Sequence, residues 1–383
     1  MTYYDNYTSQ NQPILESLNS KDDFYRIEKT YYFNRNDALL FNYPGLTHYS
    51  SSEKTEIKDF LGNIGYRNSG SWASFSKGSS TAADSLMNIK YILSKDLDLP
   101  YYDFIYEEND VKIYENPNVL PLGFMADEAI KENINYMNPI QYINDIYSTL
   151  GTQDSIYTKI PERDIDFNSY NVEEHTHYDE VTYFKVDTDD EAFIEFLIPV
   201  LDNNLITFYF LTNTFDGATL YVNDQYAGKD FDIYSQNVNI AHSEENIAKI
   251  KIVLDGEKLT YSDSLFYYQD LNLFNNTTDQ IRGNALTEVK AQGNRVSGEF
   301  YSSNDNDYLF LNIPYDESWN ITIDGVQKRA EQVFNNQMAI KTSKGTHTLK
   351  MKYIPKGFKL GSILSFISIF VLIITSFIHH KKQ

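Results

Sequence analysis

The most site-like string in this chain is Glu173-Glu-His-Thr-His-Tyr-Asp-Glu180. On a strand, His175 and His177 would share a face and, with Asp179, could offer two imidazoles and a carboxylate to a divalent metal. A solvated connector between two units collects the same residue types, and that reading weighs more, so no metal site is assigned. Asp187-Thr-Asp-Asp190 and Asn304-Asp-Asn-Asp307 resemble pieces of a calcium loop but lack the glycine and distal glutamate of an EF-hand. Acidic loops at strand edges explain them better. No dinucleotide-fold pattern surrounds them, so a metal-bound nucleotide sugar is a poor fit. Trp319, with Tyr315 and His347, could stack on the CH faces of a sugar, although an aromatic in such a strand is more often core. Ser, His and Asp all occur without a Gly-x-Ser-x-Gly elbow, which leaves a hydrolase triad unsupported. The sequence therefore assigns no catalytic residue, no cofactor site and no metal, and it leaves Tyr315, Trp319 and His347 as candidate glycan contacts.

Bulk properties narrow the classes further. The 383 residues carry 54 acidic and 32 basic side chains, for a net charge of -22. Such a balance repels nucleic-acid phosphate, and no nucleic-acid partner is expected. With 32 tyrosines and 24 phenylalanines the chain has the apolar content of a folded protein. It has no cysteine, which excludes disulfides and thiolate chemistry and is compatible with the outer face of a Gram-positive cell.

One segment organises the rest. Leu360 to Ile378 is uncharged and apolar, and as a helix it would cover about 28 Å, close to the hydrocarbon thickness of a bilayer. The expected partner is a lipid bilayer, crossed by a single C-terminal span at residues 360–378. Lys356 and Lys359 precede the span and Lys381 and Lys382 follow it, so charge does not decide its orientation. The first residues have neither a basic region nor an apolar core of a signal peptide. An extracytoplasmic body would thus need another route of export.

Upstream, the pattern predicts α+β architecture, mostly β. Residues 1–20 read as a flexible, polar start. Residues 21–125 read as a mixed α/β unit: a strand at Phe24–Lys29, a helix over 52–61 with a serine cap, a capped helical turn before Ile89, and a hairpin turning at Glu108-Asn-Asp110. Residues 126–165 read as a helical connector broken or kinked at Pro139. Two β-sandwich-like units follow, 166–280 and 281–358, the first trailed by a helical patch over Ser262–Asn275. They share a pattern: Thr219-Leu-Tyr-Val-Asn-Asp224 followed by Ile250-Lys-Ile-Val-Leu254, and Asn320-Ile-Thr-Ile-Asp-Gly325 followed by Thr348-Leu-Lys-Met-Lys-Tyr353. Duplication would explain this, as would strand alternation alone.

Several strings in order resemble the YfhO family of bacterial membrane proteins. They are Asn42-Tyr-Pro-Gly-Leu-Thr-His-Tyr-Ser-Ser51, Asp84-Ser-Leu-Met-Asn-Ile-Lys-Tyr-Ile-Leu93, Tyr114-Glu-Asn-Pro-Asn-Val-Leu-Pro-Leu-Gly-Phe124, Ile313-Pro-Tyr-Asp-Glu-Ser-Trp319, Ile321-Thr-Ile-Asp-Gly325, Gly345-Thr-His-Thr-Leu349 and Tyr353-Ile-Pro-Lys-Gly-Phe-Lys-Leu-Gly361. Glu317-Ser318 stands where the family leads one to expect a glycine, which puts the turn type there in question. The resemblance implies a multi-span glycosyltransferase of the GT-C type that adds sugars from a polyprenyl-phosphate carrier to teichoic acids outside the cell. This chain resembles only the distal portion, an extracytoplasmic region and the last span, so no catalytic residue carries over. The implied partners are a cell-wall glycopolymer and a multi-span membrane portion. The other readings are a membrane-anchored glycan-binding or surface-scaffold protein, and a fragment without an independent role.

Overall fold

The computed structural model describes residues 2–19, 23–69, 71–151, 154–178, 180–212, 217–230 and 238–380. It is α+β, with strands outweighing helices. The chain opens on α1 (Tyr3–Leu18), so the expected flexible start is corrected. A capping box closes its first turn: Asp5 N–H donates to Thr2 Oγ1 at 3.2 Å, and Thr2 N–H donates to Asp5 Oδ2 at 2.9 Å. Tyr7, Asn11, Ile14 and Leu15 fall at helical spacing and are buried. Polar residues fill the other faces, which is why the periodicity is faint in the sequence.

The N-terminal unit continues with β1 (Arg26–Lys29), α2 (Asp37–Phe41), β2 (His48–Tyr49), α3 (Thr55–Asn63), β3 (Arg67–Ser69), β4 (Trp72–Ser74), α4 (Thr81–Leu86), β5 (Ile89–Ser94), β6 (Asp103–Glu108), β7 (Val111–Glu115) and β8 (Gly123–Ala126). The main sheet is ordered β1-β5-β7-β6, with β1 parallel to β5. The predicted hairpin is present: Asn109 and Asp110 both take positive φ in a two-residue turn. Ser80 caps α4 through Ala83 N–H. The helix expected from Ser52 begins instead after Lys54, which makes no side-chain cap, and runs past Gly62.

Of the expected helical connector, the part before Pro139 holds only a 3-10 turn at Glu128–Lys131, and Pro139 starts a helix rather than kinking one. It occupies the first position of α5 (Pro139–Thr149), where a missing N–H costs nothing, and Asn138 caps Gln141 N–H at 2.9 Å. This connecting helix is a hub. Ile140, Tyr142, Ile143, Ile146 and Tyr147 are fully buried, in one apolar cluster with Phe75 of the N-terminal unit, Tyr209 and Leu265 of the first sandwich and Phe310 of the second. Tyr147 hydroxyl also donates to Ala82 O at 2.9 Å.

The first sandwich comprises β9 (Tyr157–Lys159), β10 (Asp166–Tyr170), β11 (Val172–His177), β12 (Glu180–Lys185), β13 (Phe193–Pro199), β14 (Asn204–Thr212), β15 (Ala218–Val222), β16 (Gln225–Asp230), β17 (Val238–Ala241), β18 (Ile247–Leu254) and β19 (Lys258–Asp270). Its sheets are ordered β10-β13-β18-β15-β16 and β11-β12-β19-β14-β17. The helical patch expected over 262–275 is corrected. Leu265-Phe-Tyr-Tyr268 belongs to β19, paired along β14, and α6 (Leu271–Arg282) starts only after Asp270, which caps it. Aromatic content, which favours strands, outweighed the helical spacing.

The second sandwich comprises β20 (Thr287–Gln292), β21 (Arg295–Ser302), β22 (Tyr308–Pro314), β23 (Trp319–Ile323), β24 (Val326–Lys328), β25 (Glu331–Val333), β26 (Gln337–Lys341) and β27 (Gly345–Tyr353). Its first sheet, β20-β21-β27-β23-β24, repeats the order of the first sandwich strand for strand. In the other sheet β22 lies between β26 and β8, as β14 lies between β17 and β19. The place taken by β19 in the first sandwich is thus filled in the second by β8, a strand from far upstream, and the expected boundary at residue 125 falls inside β8. Gly123 makes this possible, because a Cβ there would stand 2.6 Å from a Leu311 methyl and 2.9 Å from Phe310 O.

The last described element is α7 (Phe358–His380), reached four residues after β27. No residue of its apolar stretch Phe358–Phe377 is buried against the rest of the protein. Ser362, Ser365 and Ser368 return their hydroxyl protons to the carbonyls of Phe358, Gly361 and Leu364 at 2.8–2.9 Å, which removes their polarity from a lipid surround.

Candidate functional site

Residues of the family-like strings, with buried neighbours, are bonded into the frame of the fold. Glu28 is buried and accepts from Leu46 N–H, from Thr47 N–H and from Thr47 Oγ1, the latter two at 2.9 Å. Asp84 is buried on α4 and accepts the hydroxyls of Tyr66 (2.5 Å) and Tyr102 (2.6 Å) and the N–H of Ser79 (3.3 Å). Burial pushes its carboxyl up to about 6, against the pull of those three donors. Asn116 Nδ2 donates to Ser85 Oγ and Ile89 O, and Asn88 Nδ2 to Leu120 O. Asn312 Nδ2 donates to Leu86 O, while Arg26 bridges Met87 O and Asn312 O. These bonds tie α4 to the second sandwich.

The candidate metal and glycan residues are placed as follows. His175 and His177 lie on β11, in a hairpin with β12 rather than in a linker. His175 pairs with Glu173 at 3.1 Å, and Asp179 lies outside the described residues. Among the described residues no group of three or more His, Asp or Glu is arranged to hold a metal. Asp307 closes its own loop by accepting from Ser303 Oγ and Asn304 N–H, and Asn171 knits the Asp187–Glu191 loop together. Tyr315, Trp319 and His347 do not form one platform. Trp319 pairs with Tyr353 at one end of β27, its ring 5.2 Å from the Tyr353 ring, and Tyr315 and Trp319 both pack on the second sandwich core. His347 sits toward the other end, about 20 Å away along the strand. There it bonds Asp324 Oδ2 at 2.7 Å and Ser343 O at 2.9 Å. The Glu317-Ser318 turn needs no glycine, since neither residue takes positive φ; Asp316 closes it by accepting Ser318 N–H at 2.7 Å.

The site that the fold does build is a cleft of about 770 Å³ between the N-terminal unit and the first sandwich, within the range usual for ligand sites. One wall is the loop from Asp96 to Tyr101 after β5, with Lys77. The other is the β15–β16 turn with Gln225 and Tyr226, and the loop from His242 to Glu245 before β18. Lys77 Nζ spans the seam to Ala227 O at 3.3 Å. Asn223 fixes the far wall: its side chain donates to His242 O at 2.8 Å and accepts Lys249 N–H at 2.9 Å. Asp98 is held below the ordinary carboxylate range by Lys112, which bonds it. Four carboxylates, Asp96, Asp98, Glu244 and Glu245, face two basic side chains, Lys77 and His242. An anionic ligand is therefore disfavoured. Hydroxyl-rich neutral ligands suit the amides, carboxylates and tyrosine faces. None of these residues stood out in the sequence, because they come from loops more than a hundred residues apart; the Asn223-Asp224 turn was the one local signal.

A family model described as "Bacterial membrane protein YfhO" matches residues 1–365. An uncharacterized protein YfhO of Bacillus subtilis (strain 168) is 26% identical over 181 residues, covering 46% of this chain and 21% of that protein. The match thus spans about a fifth of the curated relative's length. A conserved protein of unknown function from Pseudomonas aeruginosa PAO1 is similar at 7% identity and TM-score 0.16, covering 51% of this chain and 92% of that one. Dimeric latent PorU from Porphyromonas gingivalis is similar at 9% identity and TM-score 0.17, covering 65% of this chain and 26% of that one.

Proposed function

From the premise that the chain belongs to the YfhO family of bacterial membrane proteins, we propose that it forms the extracytoplasmic, non-catalytic body of a YfhO-like membrane glycosyltransferase acting on cell-wall polymers of the teichoic-acid type. In this reading α7 pins the body to the bilayer, and the cleft between the N-terminal unit and the first sandwich holds neutral sugar units of the acceptor. Transfer from the lipid-linked donor takes place in a multi-span membrane portion that the cleft faces or follows. The observation that carries the reading is a bilayer-length apolar helix joined within four residues to a body with a saccharide-sized polar cleft. The carboxylates on the cleft walls favour sugar hydroxyls over polymer phosphates. The duplicated sandwich order supports the alternative of a membrane-anchored glycan-binding scaffold, which predicts the same binding without a transferase partner.

The test is binding of the full chain, reconstituted in lipid nanodiscs, to glycosylated and sugar-stripped wall-polymer oligomers. Binding to the glycosylated form is expected to weaken roughly tenfold on Tyr226→Ala, the loss of one stacking and hydrogen-bonding face. Equal binding of both oligomers would remove the sugar role, and sugar transfer by the isolated chain from a polyprenyl-phosphate donor would overturn the non-catalytic assignment.

A further inference from the structure

We propose that α2 and the aromatic surface around it form a second membrane contact, in which Phe33, Leu39 and Leu40 enter the headgroup layer of the bilayer spanned by α7 and Arg35 meets a lipid phosphate. The inference rests on α7 being a membrane span. Leu39 is 81% exposed on a helix of five residues, beside exposed Leu40. Phe33 is exposed too, in ring contact with Tyr3 and Tyr4 at 5.6–5.7 Å. Tyr32 and Tyr49 extend the same surface. Soluble faces scatter such residues singly; here they cluster on one short stretch of chain.

Two routes of contact place this surface beside the base of α7. On one side, Asn36 Oδ1 accepts Tyr49 N–H at 2.9 Å and so ties α2 to the loop that ends at Lys54. Lys54 pairs with Asp316 at 2.7 Å. The Asp316–Ser318 turn is bonded in turn to the linker into α7, by Ile354 N–H to Ser318 O at 3.1 Å and Lys356 to Glu317 at 2.6 Å. On the other side, Asn42, Tyr43 and Pro44 share a cavity with the end of β20. The next strand, β21, begins at Arg295 opposite Lys352, three residues before Pro355. A surface bracketed by both contacts lies against the bilayer that α7 enters.

Charge points the same way. Arg35 stacks on the Trp72 ring at 4.0 Å and lies 5.7 Å from the Tyr32 ring. Its Nε is buried without a hydrogen-bond partner, and among the described residues no carboxylate pairs with it. In a chain of net charge -22, a cation with no carboxylate partner among the described residues and framed by aromatics is matched to an anion from outside. Guanidinium and indole side by side are the pairing that headgroup phosphate and the membrane interface favour.

Because the chain has no cysteine, single probes can be attached without background. An environment-sensitive fluorophore is placed on Leu39→Cys, on Leu364→Cys within α7, and on Val186→Cys, 69% exposed in the first sandwich. Each full-length protein is reconstituted in phosphatidylcholine nanodiscs with and without a brominated-chain lipid quencher. Quenching at position 39 is expected to reach at least about half that at 364, as for a side chain sunk to the headgroup–acyl boundary, with none at 186. Position 39 behaving like 186 while 364 is quenched overturns the second contact and leaves the span of α7 standing. Absence of quenching at 364 overturns both. Arg35→Gln in the Leu39→Cys background is expected to reduce quenching at 39; unchanged quenching removes the phosphate contact.

Discussion

Asn223 and Asp324 occupy the same place in the two sandwiches. Each is the first residue of a two-residue hairpin turn in left-handed conformation, with φ of 50° and 53°. Each donates its backbone N–H to the adjoining strand, Asn223 to Lys249 O at 2.8 Å and Asp324 to Thr348 O at 3.0 Å. Each then accepts the return N–H through its side chain, from Lys249 at 2.9 Å and Thr348 at 2.8 Å. Together with the shared strand order, this makes the two units copies of one design, whichever route produced them.

The equivalence predicts asymmetric tolerance. Asp324→Asn keeps a short acceptor that tolerates positive φ and is expected to leave the melting temperature close to wild type, whereas Asn223→Asp replaces the donor to His242 O by a carboxylate oxygen and is expected to lower it. Asn223→Val loses the acceptor and puts a β-branched residue at φ 50°, at a cost of about 1–3 kcal/mol. Thermal melts of the three variants check the order.

Gly123→Ala tests whether β8 completes the second sandwich. A methyl there meets Leu311 and the Phe310 carbonyl, so β8 must move off β22. The expected loss is about 1–3 kcal/mol, with faster hydrogen exchange at the β8-bonded amides of β22. Unchanged exchange would show that the strand tolerates the shift.

Asp84 sets a pH dependence whose sign runs opposite to that of a salt-bridged carboxylate. Its folded pKa of about 6 lies above the ordinary 3.8, so the native state binds the proton more tightly than the unfolded chain. The stabilisation is full below about pH 4 and is lost as pH rises through 6, on the order of 2–3 kcal/mol across the window. Asp84→Asn should flatten that part of the stability-versus-pH curve between pH 4 and 6.5. Chemical denaturation at several pH values measures it.

Lys29, Asp37 and Tyr7 form a buried lock holding α1 to the body. Lys29 Nζ lies 2.8 Å from both Asp37 Oδ2 and the Tyr7 hydroxyl, amid the rings of Tyr7, Tyr31, Phe41 and Tyr43. Lys29→Met leaves Asp37 buried without its cation and is expected to cost about 3–5 kcal/mol; Asp37→Asn in that background removes the unpaired charge, keeps an acceptor for Tyr7 and the Phe33 and Asn34 amides, and is expected to recover part of the loss. A double-mutant cycle reads the coupling.

Much of this fold is legible in local pattern. Strands such as β18 and β21 alternate cleanly, Asn109-Asp110 and Asp324-Gly325 announce their turns, and the uncharged run from Leu360 announces α7. What escapes is whatever depends on distant partners. The buried stripe of α1 is written in Tyr7 and Asn11, which ordinary patterning counts as surface. The Leu265–Tyr268 run carries helical spacing beside its aromatic content, and the pairing along β14 that completes it as a strand involves residues about sixty positions upstream. Trp319 and His347 share a face of one sheet, yet strand length keeps them apart. The cleft brings Tyr101 to Tyr226, a juxtaposition no spacing rule contains.

The proposed placement of the β-rich body on the outer side of the membrane crossed by α7 can be read at Val186. Val186→Cys, exposed on the first sandwich, is treated in intact host cells with a membrane-impermeant maleimide before and after permeabilisation. Full labelling before permeabilisation is expected. Labelling that appears only afterwards would contradict that placement.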